Sequence, residues 1–316
     1  MKQEETSNYC KMSQDLNVKL ALFLKSPSLL QKELAGQRIW EKTPLAEKEE
    51  LLGAAQRCLE ICEKKQIGIL TWEDANYPPL LREIYQKPLF LFYRGDIGLL
   101  QKKAVAVVGT RNPSLLALHY TRRLCSLLVP TYVIVSGMAR GIDSMAHRTA
   151  LACGGATIAV LAHGVDHIYP LSNADLYHEA ARKGNVLLIS EHPPETHPLP
   201  FHFVKRNRII SGLCSHVVFV EGSRKSGAVI TANYALEQNR NLYCFDHPSM
   251  TANEGCKQFI ADGATNLAHY FELERMSLAD LGTNKDKEKI LSEFFYLGAQ
   301  EWGRLVPLQG KLFEEF

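Results

Sequence analysis

The sequence predicts an α/β protein with a mostly parallel, doubly wound sheet. Short runs of β-branched and aromatic residues are apolar at consecutive positions, which is typical of strands buried on both faces. Segments of helical length separate these runs, and this alternation indicates right-handed βαβ units. The apolar runs are LFLFY (89–93), AVAVV (104–108), YVIVS (132–136), ATIAVLA (156–162), NVLLIS (185–190), HVVFVEG (216–222) and NLYCF (241–245). The helical segments are 114–128, 141–152, 173–183, 205–213 and 227–239.

The region before this alternation is predicted to be a small helical module, residues 1–84. Thr43-Pro44 is expected to start a helix, because a hydroxyl cap followed by proline favours the first turn. The helix should end near Gly68, and its inner face should carry the apolar residues that recur at helical spacing. Those residues are Leu51, Ala55, Cys58 and Cys62.

The alternating part is predicted to form one domain over residues 85–275. The remaining tail, 276–316, is polar and then weakly helical, and it is too short for another sizeable domain. No uncharged run reaches the length of a membrane span, and the polar N-terminus is unlike a signal peptide. We therefore expect a cytoplasmic protein without a membrane segment.

The composition limits the kind of ligand site. The 316 residues are 46% hydrophobic and 22% charged, with a net charge of only +2. Such a balance excludes a uniformly basic coat for nucleic acid, so an anion site must be a local concentration of charge. The eight cysteines form no C-x-x-C pair. They are expected to be reduced core residues of an intracellular protein rather than disulfides or zinc ligands.

The candidate site lies in the loops that follow the strands, because open α/β sheets bind ligands at the carboxyl ends of their strands. Glycines in these loops permit close backbone approach, and helix starts with arginines favour an anion. A further segment, Lys205-Arg206-Asn207-Arg208, places three cations and an amide in four residues. Together these features predict a polyanion as ligand. The loops are VVGTR (107–111), SGMARGID (136–143), AHGVDHIYP (162–170) and VEGSRKSGA (220–228).

Several residues in these loops also have ordinary structural explanations. VVGTR has a single glycine where a dinucleotide fingerprint needs three, so dinucleotide binding is weakly supported. Asp143 is expected to cap the helix that follows it, and His147 to be a packed helix residue. Ser226 is expected to cap its own helix, with Arg224 and Lys225 facing solvent.

Three histidines are spaced five residues apart in EHPPETHPLPFHF (191–203), at His192, His197 and His202. Prolines separate them, so they share no helix face, and a rigid loop is expected instead of a metal site. The spacing of Ser, Cys, His and Asp residues suggests no catalytic arrangement. We expect neither a metal nor a cofactor.

These motifs, taken in order, resemble the DNA-processing protein A family, also called DprA or Smf. The similarity runs from YPPLLREI (77–84) to GCKQFIADGA (255–264) and includes SGMARGIDSMAH, TIAVLAHGVDHIYP, KRNRIISGL and SGAVITA. The resemblance implies an extended Rossmann-like domain that binds single-stranded DNA without sequence preference. It also implies a homodimer, no catalysis, and protection of incoming strands with delivery of the recombinase RecA during natural transformation.

The resemblance also implies which residues bind DNA. The residues carried over by position are Gly109, Thr110, Arg111, Ser136, Gly137, Arg140, Arg206, Asn207 and Arg208. The charge of its own segment adds Lys205 to this set. Phe203 or Tyr169 is expected to stack on bases near these cations.

The chain departs from the family at several positions. Family members usually carry Phe-Pro before Arg-Asn-Arg, where this chain has Phe203-Val204, and a Pro-Gly turn where it has His247-Pro248. Leu171 stands where relatives often place a lysine, so one phosphate contact is expected to be lost. The tail is too short for the winged helix that some members carry.

Two other functions remain open from the residues. One is a nucleotide phosphoribohydrolase of the lysine-decarboxylase-like fold, whose PGGxGTxxE signature has only Glu221-Gly222 as a poor counterpart here. The other is a sensor of a small nucleotide, which needs a closed pocket. Three arginine-bearing loops spread along one edge fit an extended strand better than a single nucleotide.

Overall fold

A computed structural model describes residues 15–182, 184–250 and 252–268 of the chain. The strands are β1 (Gly68–Thr71), β2 (Phe90–Gly95), β3 (Ala104–Val108), β4 (Val133–Ser136), β5 (Thr157–Leu161), β6 (Val186–Ser190), β7 (His216–Phe219), β8 (Asn241–Cys244) and β9 (Thr265–Asn266).

The helices include α1, described over 15–25. The others are α2 (Pro27–Lys32), α3 (Ile39–Lys42), α4 (Leu45–Lys64), α5 (Pro79–Glu83), α6 (Leu115–Leu128), α7 (Ile142–Ala152), α8 (Ala174–Ala181), α9 (Pro200–Gly212), α10 (Gly227–Glu237) and α11 (Glu254–Ala261). A π-helical turn lies at Glu33–Gln37, and short 3-10 helices lie at Ile97–Gln101 and Leu171–Asn173.

The chain divides into two compact units. Among the described residues, the first contains 15–101 and 158–209, and the second contains 102–157 and 210–268. In the first unit the strand order is β1-β2-β6-β5, and β2 pairs antiparallel with both β1 and β6. Gly68 lies opposite Tyr93, and a Cβ atom on Gly68 would lie 2.1 Å from the tyrosine ring. Glycine at this position therefore lets the ring lie across β1.

In the second unit the strand order is β4-β3-β7-β8-β9, and every pair is parallel. The chain leaves β3 for β4 on one side and later continues through β7, β8 and β9 on the other. The order thus reverses between β3 and β7, which is where doubly wound sheets open a crevice for ligands. Val105–Val108 and all of β7 are buried, as expected for strands covered on both faces.

All seven predicted strands are present, and the α/β class with a mostly parallel sheet is confirmed. The helix predicted from 205 begins at Pro200, since proline is well suited to a first helical position. The short elements β1, α11 and β9 were not predicted. The region 1–84, predicted to be helical, contains the strand β1, which is too short to show a period of its own.

The predicted N-terminal cap of the long helix α4 is wrong. Helix α4 begins at Leu45, and no side chain caps it. Thr43 instead donates its hydroxyl to the carbonyl oxygen of Ile39 at 2.8 Å, which closes the end of α3. Ala55, Cys58 and Cys62 are buried on the inner face, as predicted, whereas Leu51 is only half-buried.

The boundaries at 84/85 and 275/276 stay predictions, and the tail 276–316 lies outside the described residues. Among the residues that the structure describes, no helix combines the length and apolarity needed to cross a membrane.

Candidate functional site

Three loops of the second unit, here called the rim loops, follow β3, β4 and β7 and cover residues 109–114, 137–141 and 221–226. Backbone hydrogen bonds join them. The Thr110 amide donates to the Glu221 carbonyl at 2.7 Å, and the Ile142 amide donates to the Thr110 carbonyl at 3.2 Å. Arg111 and Arg140 are exposed on the first two rim loops. The main chain therefore holds the loops that carry the two predicted phosphate-binding arginines.

The second rim loop is shaped by two buried polar side chains. The Asp143 carboxylate accepts hydrogen bonds from the amides of Gly137 at 3.2 Å and Ala139 at 3.3 Å. Its predicted role as a cap is therefore wrong, because it orders the loop before α7 and no side chain caps that helix. Ser136 is fully buried and donates its hydroxyl to the Val107 carbonyl at 2.6 Å. The Ser136 hydroxyl thus ties β4 to β3.

His147 is a packed helix residue, as predicted. Its ring is fully buried, and Nδ1 lies 2.6 Å from the hydroxyl oxygen of Thr157. This contact anchors α7 to the start of β5, behind the second rim loop.

Glycines at 109 and 141 allow the first two rim loops to approach each other. A Cβ atom on Gly109 would lie 2.6 Å from the Ile142 side chain. Gly141 has φ 78° and ψ −125°, and a Cβ there would lie 2.4 Å from the Thr110 carbonyl oxygen. Residues with a side chain rarely adopt this conformation, and backbone atoms cannot move aside easily.

Replacing Gly141 by alanine is expected to destabilise the protein and to displace the first rim loop. The positive φ costs about 1 kcal/mol, and the overlap with Thr110 adds about 1–3 kcal/mol. Urea denaturation of Gly141→Ala against Gly154→Ala measures the difference, since Gly154 has φ 73° with nothing within 4 Å of its Cβ position. Equal losses of stability in the two variants would contradict the close approach at Gly141.

Two buried side chains, Glu221 and Asn253, fix the third rim loop. Glu221 is 2% exposed, and its carboxylate accepts a hydrogen bond from the Ser114 amide at 2.7 Å, at the start of α6. Asn253 is fully buried, accepts from the Gly222 amide at 3.3 Å and donates to the Phe245 carbonyl at 2.6 Å. Neither contact is visible in the sequence, because the partners lie 107 and 31 residues apart.

The predictions for Ser226, Arg224 and Lys225 in the third rim loop are confirmed. The Ser226 hydroxyl caps α10 by accepting from the Ala228 amide at 3.2 Å. Arg224 and Lys225 are exposed.

In the first unit, Arg208 is an internal anchor. It is 4% exposed and forms a bidentate ion pair with Glu191, at 3.0 and 2.5 Å. It also donates to the carbonyl oxygens of Gln86 at 3.0 Å and Lys205 at 2.8 Å. Burial alone would raise the pKa of Glu191, but the hydrogen bonds and charge of Arg208 hold that pKa below its usual range. The pair is therefore ionised.

The neighbouring residues of the predicted cationic segment differ in exposure. Arg206 is 4% exposed, donates to the Val160 carbonyl and to the side-chain oxygen of Asn207, and lies 6.0 Å from the Phe203 ring. Asn207 is also buried. Lys205 is exposed, and its Nζ lies 3.9 Å from Glu191. Among the four residues of this segment, Lys205 alone presents its charge openly to solvent.

The aromatic residues expected to stack on bases lie side by side. The ring centroids of Tyr169 and Phe203 are 5.8 Å apart, and Tyr169 is 45% exposed. Tyr177 supports this loop by donating its hydroxyl to the Tyr169 carbonyl at 2.9 Å.

Two of the three histidines of the proline-rich segment are in contact. The His192 and His202 ring centroids are 4.0 Å apart. Within the described part of the chain, no group of three His, Cys, Asp or Glu residues has an arrangement that could hold a metal ion.

Residues 68–276 match the sequence profile of the family described as DNA recombination-mediator protein A. The chain belongs to this family. Among curated relatives, it is 43% identical over 192 residues to the DNA processing protein DprA of Bacillus subtilis, covering 59% of this chain and 63% of that protein. It is 38% identical over 226 residues to protein Smf of Escherichia coli, covering 67% and 60%. The chain thus spans less than two thirds of the length of these family members.

Solved structures of family members share the fold. DprA from Streptococcus pneumoniae has a TM-score of 0.66 at 32% identity, covering 82% of this chain and 92% of that one. DprA from Helicobacter pylori has a TM-score of 0.59 at 28% identity, covering 65% and 94%. The latter structure describes a single-stranded DNA binding mode for the H. pylori protein. These likenesses confirm the extended Rossmann-like fold of the DprA family.

The contact between His192 and His202 predicts that this DprA family member loses stability in mild acid. Burial lowers the pKa of His192 from 6.5 to about 4, and burial also lowers the pKa of His202. Between these pH values the unfolded chain binds more protons than the folded one. The contribution to stability is therefore complete at neutral pH and is lost as pH falls from about 6.5 to about 4.

Urea denaturation at about pH 7.5 and about pH 5 tests this expectation. His192→Gln should lose less stability on acidification than the unchanged protein. Parallel pH dependence in the two proteins would show that His192 is not responsible.

Proposed function

We propose that the chain is a recombination mediator that binds the backbone of single-stranded DNA without sequence preference. The observation that carries the proposal is the exposure of Arg111 and Arg140 on adjacent loops joined by the main chain. Guanidinium groups bind phosphate oxygens strongly, and phosphate contacts carry no sequence information. The family membership and the single-stranded DNA binding mode of H. pylori DprA support the same ligand.

The predicted site residues take different parts in this proposal. Arg111 and Arg140 bind phosphates in the second unit, and Lys205 does so in the first. Gly109, Thr110 and Gly137 shape the loops, since the Thr110 and Gly137 amides donate to Glu221 and Asp143, and Ser136 fixes the sheet beneath them. The buried Arg206, Asn207 and Arg208 lie in the middle of α9 and hold it in place, so their effect on DNA is indirect.

The proposal extends to partners. The chain forms a homodimer in the cytoplasm, protects incoming strands and delivers RecA onto them during natural transformation. It performs no catalytic step and needs no cofactor. The support for these statements is the family membership.

Fluorescence anisotropy of labelled oligo-dT tests the proposal. Several lengths are compared at two salt concentrations, with duplex DNA as competitor. Binding that grows with length, weakens with salt and resists duplex is expected, and a RecA-loading assay follows. Saturable binding of a mononucleotide without dependence on length would instead favour a sensor, and hydrolysis of a nucleotide would favour an enzyme using Glu221.

A further inference from the structure

Lys65, the residue that follows α4, is joined to two loops of the first unit that are distant in sequence. Its Nζ lies 2.7 Å from Asp166 Oδ2 and 3.3 Å from Glu195 Oε1. Asp166 belongs to residues 162–170, here called the β5 loop, and Glu195 belongs to the proline-rich segment after β6. The partners are 101 and 130 residues away from Lys65. One side chain at the end of α4 therefore holds both loops.

The pair of Lys65 and Asp166 differs from an ordinary surface ion pair, because its carboxylate is buried. The side chain of Asp166 is 5% exposed, whereas that of Lys65 is 36% exposed. Asp166 also accepts from the Glu195 amide, at 3.0 and 3.2 Å to its two oxygens. Burial alone would raise the pKa of Asp166, but the hydrogen bonds from Lys65 and from the Glu195 amide hold that pKa below its usual range. The carboxylate is therefore charged, and Lys65 compensates its charge.

The Asp166 carboxylate lies at the centre of the contact between the β5 loop and the proline-rich segment. The Gly164 amide donates to the Thr196 carbonyl at 2.9 Å, so the two segments lie against each other. A Cβ atom on Gly164 would lie 2.6 Å from Asp166 Oδ1 and 2.9 Å from the Pro193 carbonyl oxygen. The carboxylate is thus packed tightly between the segments, and a shift of its side chain would disturb both.

The β5 loop ends beside the helix that carries Lys205. Three residues after Asp166, the Tyr169 ring lies 5.8 Å from the Phe203 ring of α9, measured between centroids. Lys205, on the same helix, is exposed and is the phosphate-binding cation of the first unit in the proposed function. The contacts that start at Lys65 therefore reach the proposed DNA site, although Lys65 itself belongs to the N-terminal part of the chain.

We propose that Lys65 is a positioning residue for DNA binding, because its ion pair with Asp166 holds the β5 loop in the shape that binds a single strand. The inference rests on the proposed function and adds that the end of α4 contributes to DNA affinity. A loop that is already ordered costs less free energy to immobilise when its ligand binds. Lys65 thus raises the affinity without touching DNA.

Anisotropy titrations of oligo-dT test the role of Lys65. Lys65→Ala should weaken binding about threefold to tenfold, the cost of ordering part of a loop on binding. The slope of log affinity against log salt should stay the same, because no phosphate contact is removed. Lys65→Arg should restore most of the affinity, since arginine also pairs with a carboxylate. Lys64→Ala is the matched control, because Lys64 is an exposed cation one residue earlier, and it should bind normally.

A double-mutant cycle shows whether Lys65 acts through Asp166. Asp166→Asn keeps the size of the side chain and should weaken binding by a factor similar to that of Lys65→Ala. The double variant should bind no more weakly than the weaker of the two single variants, because both remove the same interaction. Circular dichroism checks that each variant is folded. Losses of binding free energy that simply add would contradict action through the pair.

The outcomes separate this inference from the proposed function. If the unchanged protein binds oligo-dT and Lys65→Ala binds it equally well, the inference is wrong and the proposed function stands. If Lys65→Ala lowers the salt slope by about 0.7, Lys65 contacts a phosphate directly, which also contradicts a positioning role. If the unchanged protein does not bind oligo-dT, the proposed function fails together with the inference.

Discussion

Replacing Arg208 by alanine is expected to destabilise the protein by about 3–5 kcal/mol, because it leaves the Glu191 carboxylate buried without its main partner. Both side chains are at least nine-tenths buried, and the pair is bidentate. The variant also loses the hydrogen bonds from Arg208 to the carbonyls of Gln86 and Lys205. The cost is therefore much larger than that of a surface ion pair.

Urea denaturation at neutral pH measures this loss, and Lys205→Ala is the matched control. Lys205 is exposed and lies 3.9 Å from the same carboxylate, so its removal should cost at most about 1 kcal/mol. Adding Glu191→Gln to Arg208→Ala should recover part of the stability, since the buried charge disappears. A loss below about 1 kcal/mol in Arg208→Ala would show that the pair is not an anchor.

Replacing Arg111 or Arg140 by alanine is expected to weaken binding of single-stranded DNA about tenfold or more for each residue. A hydrogen bond to a charged group contributes about 1.5–3 kcal/mol, and 1.4 kcal/mol corresponds to a factor of ten. The loss should be the same for every sequence, because phosphates carry no sequence information. The slope of log affinity against log salt should fall by about 0.7 for each arginine removed.

Anisotropy titrations of oligo-dT and of a mixed-sequence strand, each over a series of salt concentrations, measure both quantities. Lys257→Ala is the control, since Lys257 is an exposed cation on α11 of the same unit and lies outside the rim loops. Unchanged affinity in both arginine variants would show that the second unit does not bind DNA through these arginines. A loss restricted to one sequence would point to base contacts there instead.

The sheet was largely predictable because its strands are short, apolar and separated by helices. AVAVV at 104–108 coincides with β3, since each residue from Val105 onward is buried on a fully covered strand. Strands β1 and β9 were missed because four and two residues are too few to show a period. Thr43 was wrongly predicted to cap α4. A hydroxyl before proline can cap the next helix or donate to a carbonyl of the preceding one, and Thr43 donates to Ile39.

The loops of the candidate site were predictable from the sequence. Which of its charged side chains are buried and paired was not. Glycine and arginine after a strand place Arg111 and Arg140 at the carboxyl end of the sheet by local rules alone. Lys205-Arg206-Asn207-Arg208 follows no such rule, because the partners of Arg208 lie 17 and 122 residues away. A run of cations in a sequence cannot show which of its members are neutralised inside the fold.

The rim loops have a consequence for how this protein can change during evolution. Amides and carbonyls of Thr110, Ile142 and Glu221 join the loops, and such groups are present whichever side chain a residue carries. Mutation can therefore exchange the exposed side chains at 111, 140, 224 and 225 while the loops keep their shape. Affinity for a ligand can therefore rise or fall in small steps. Substitution should be least tolerated at Gly141, because its missing Cβ allows the close approach to the Thr110 carbonyl.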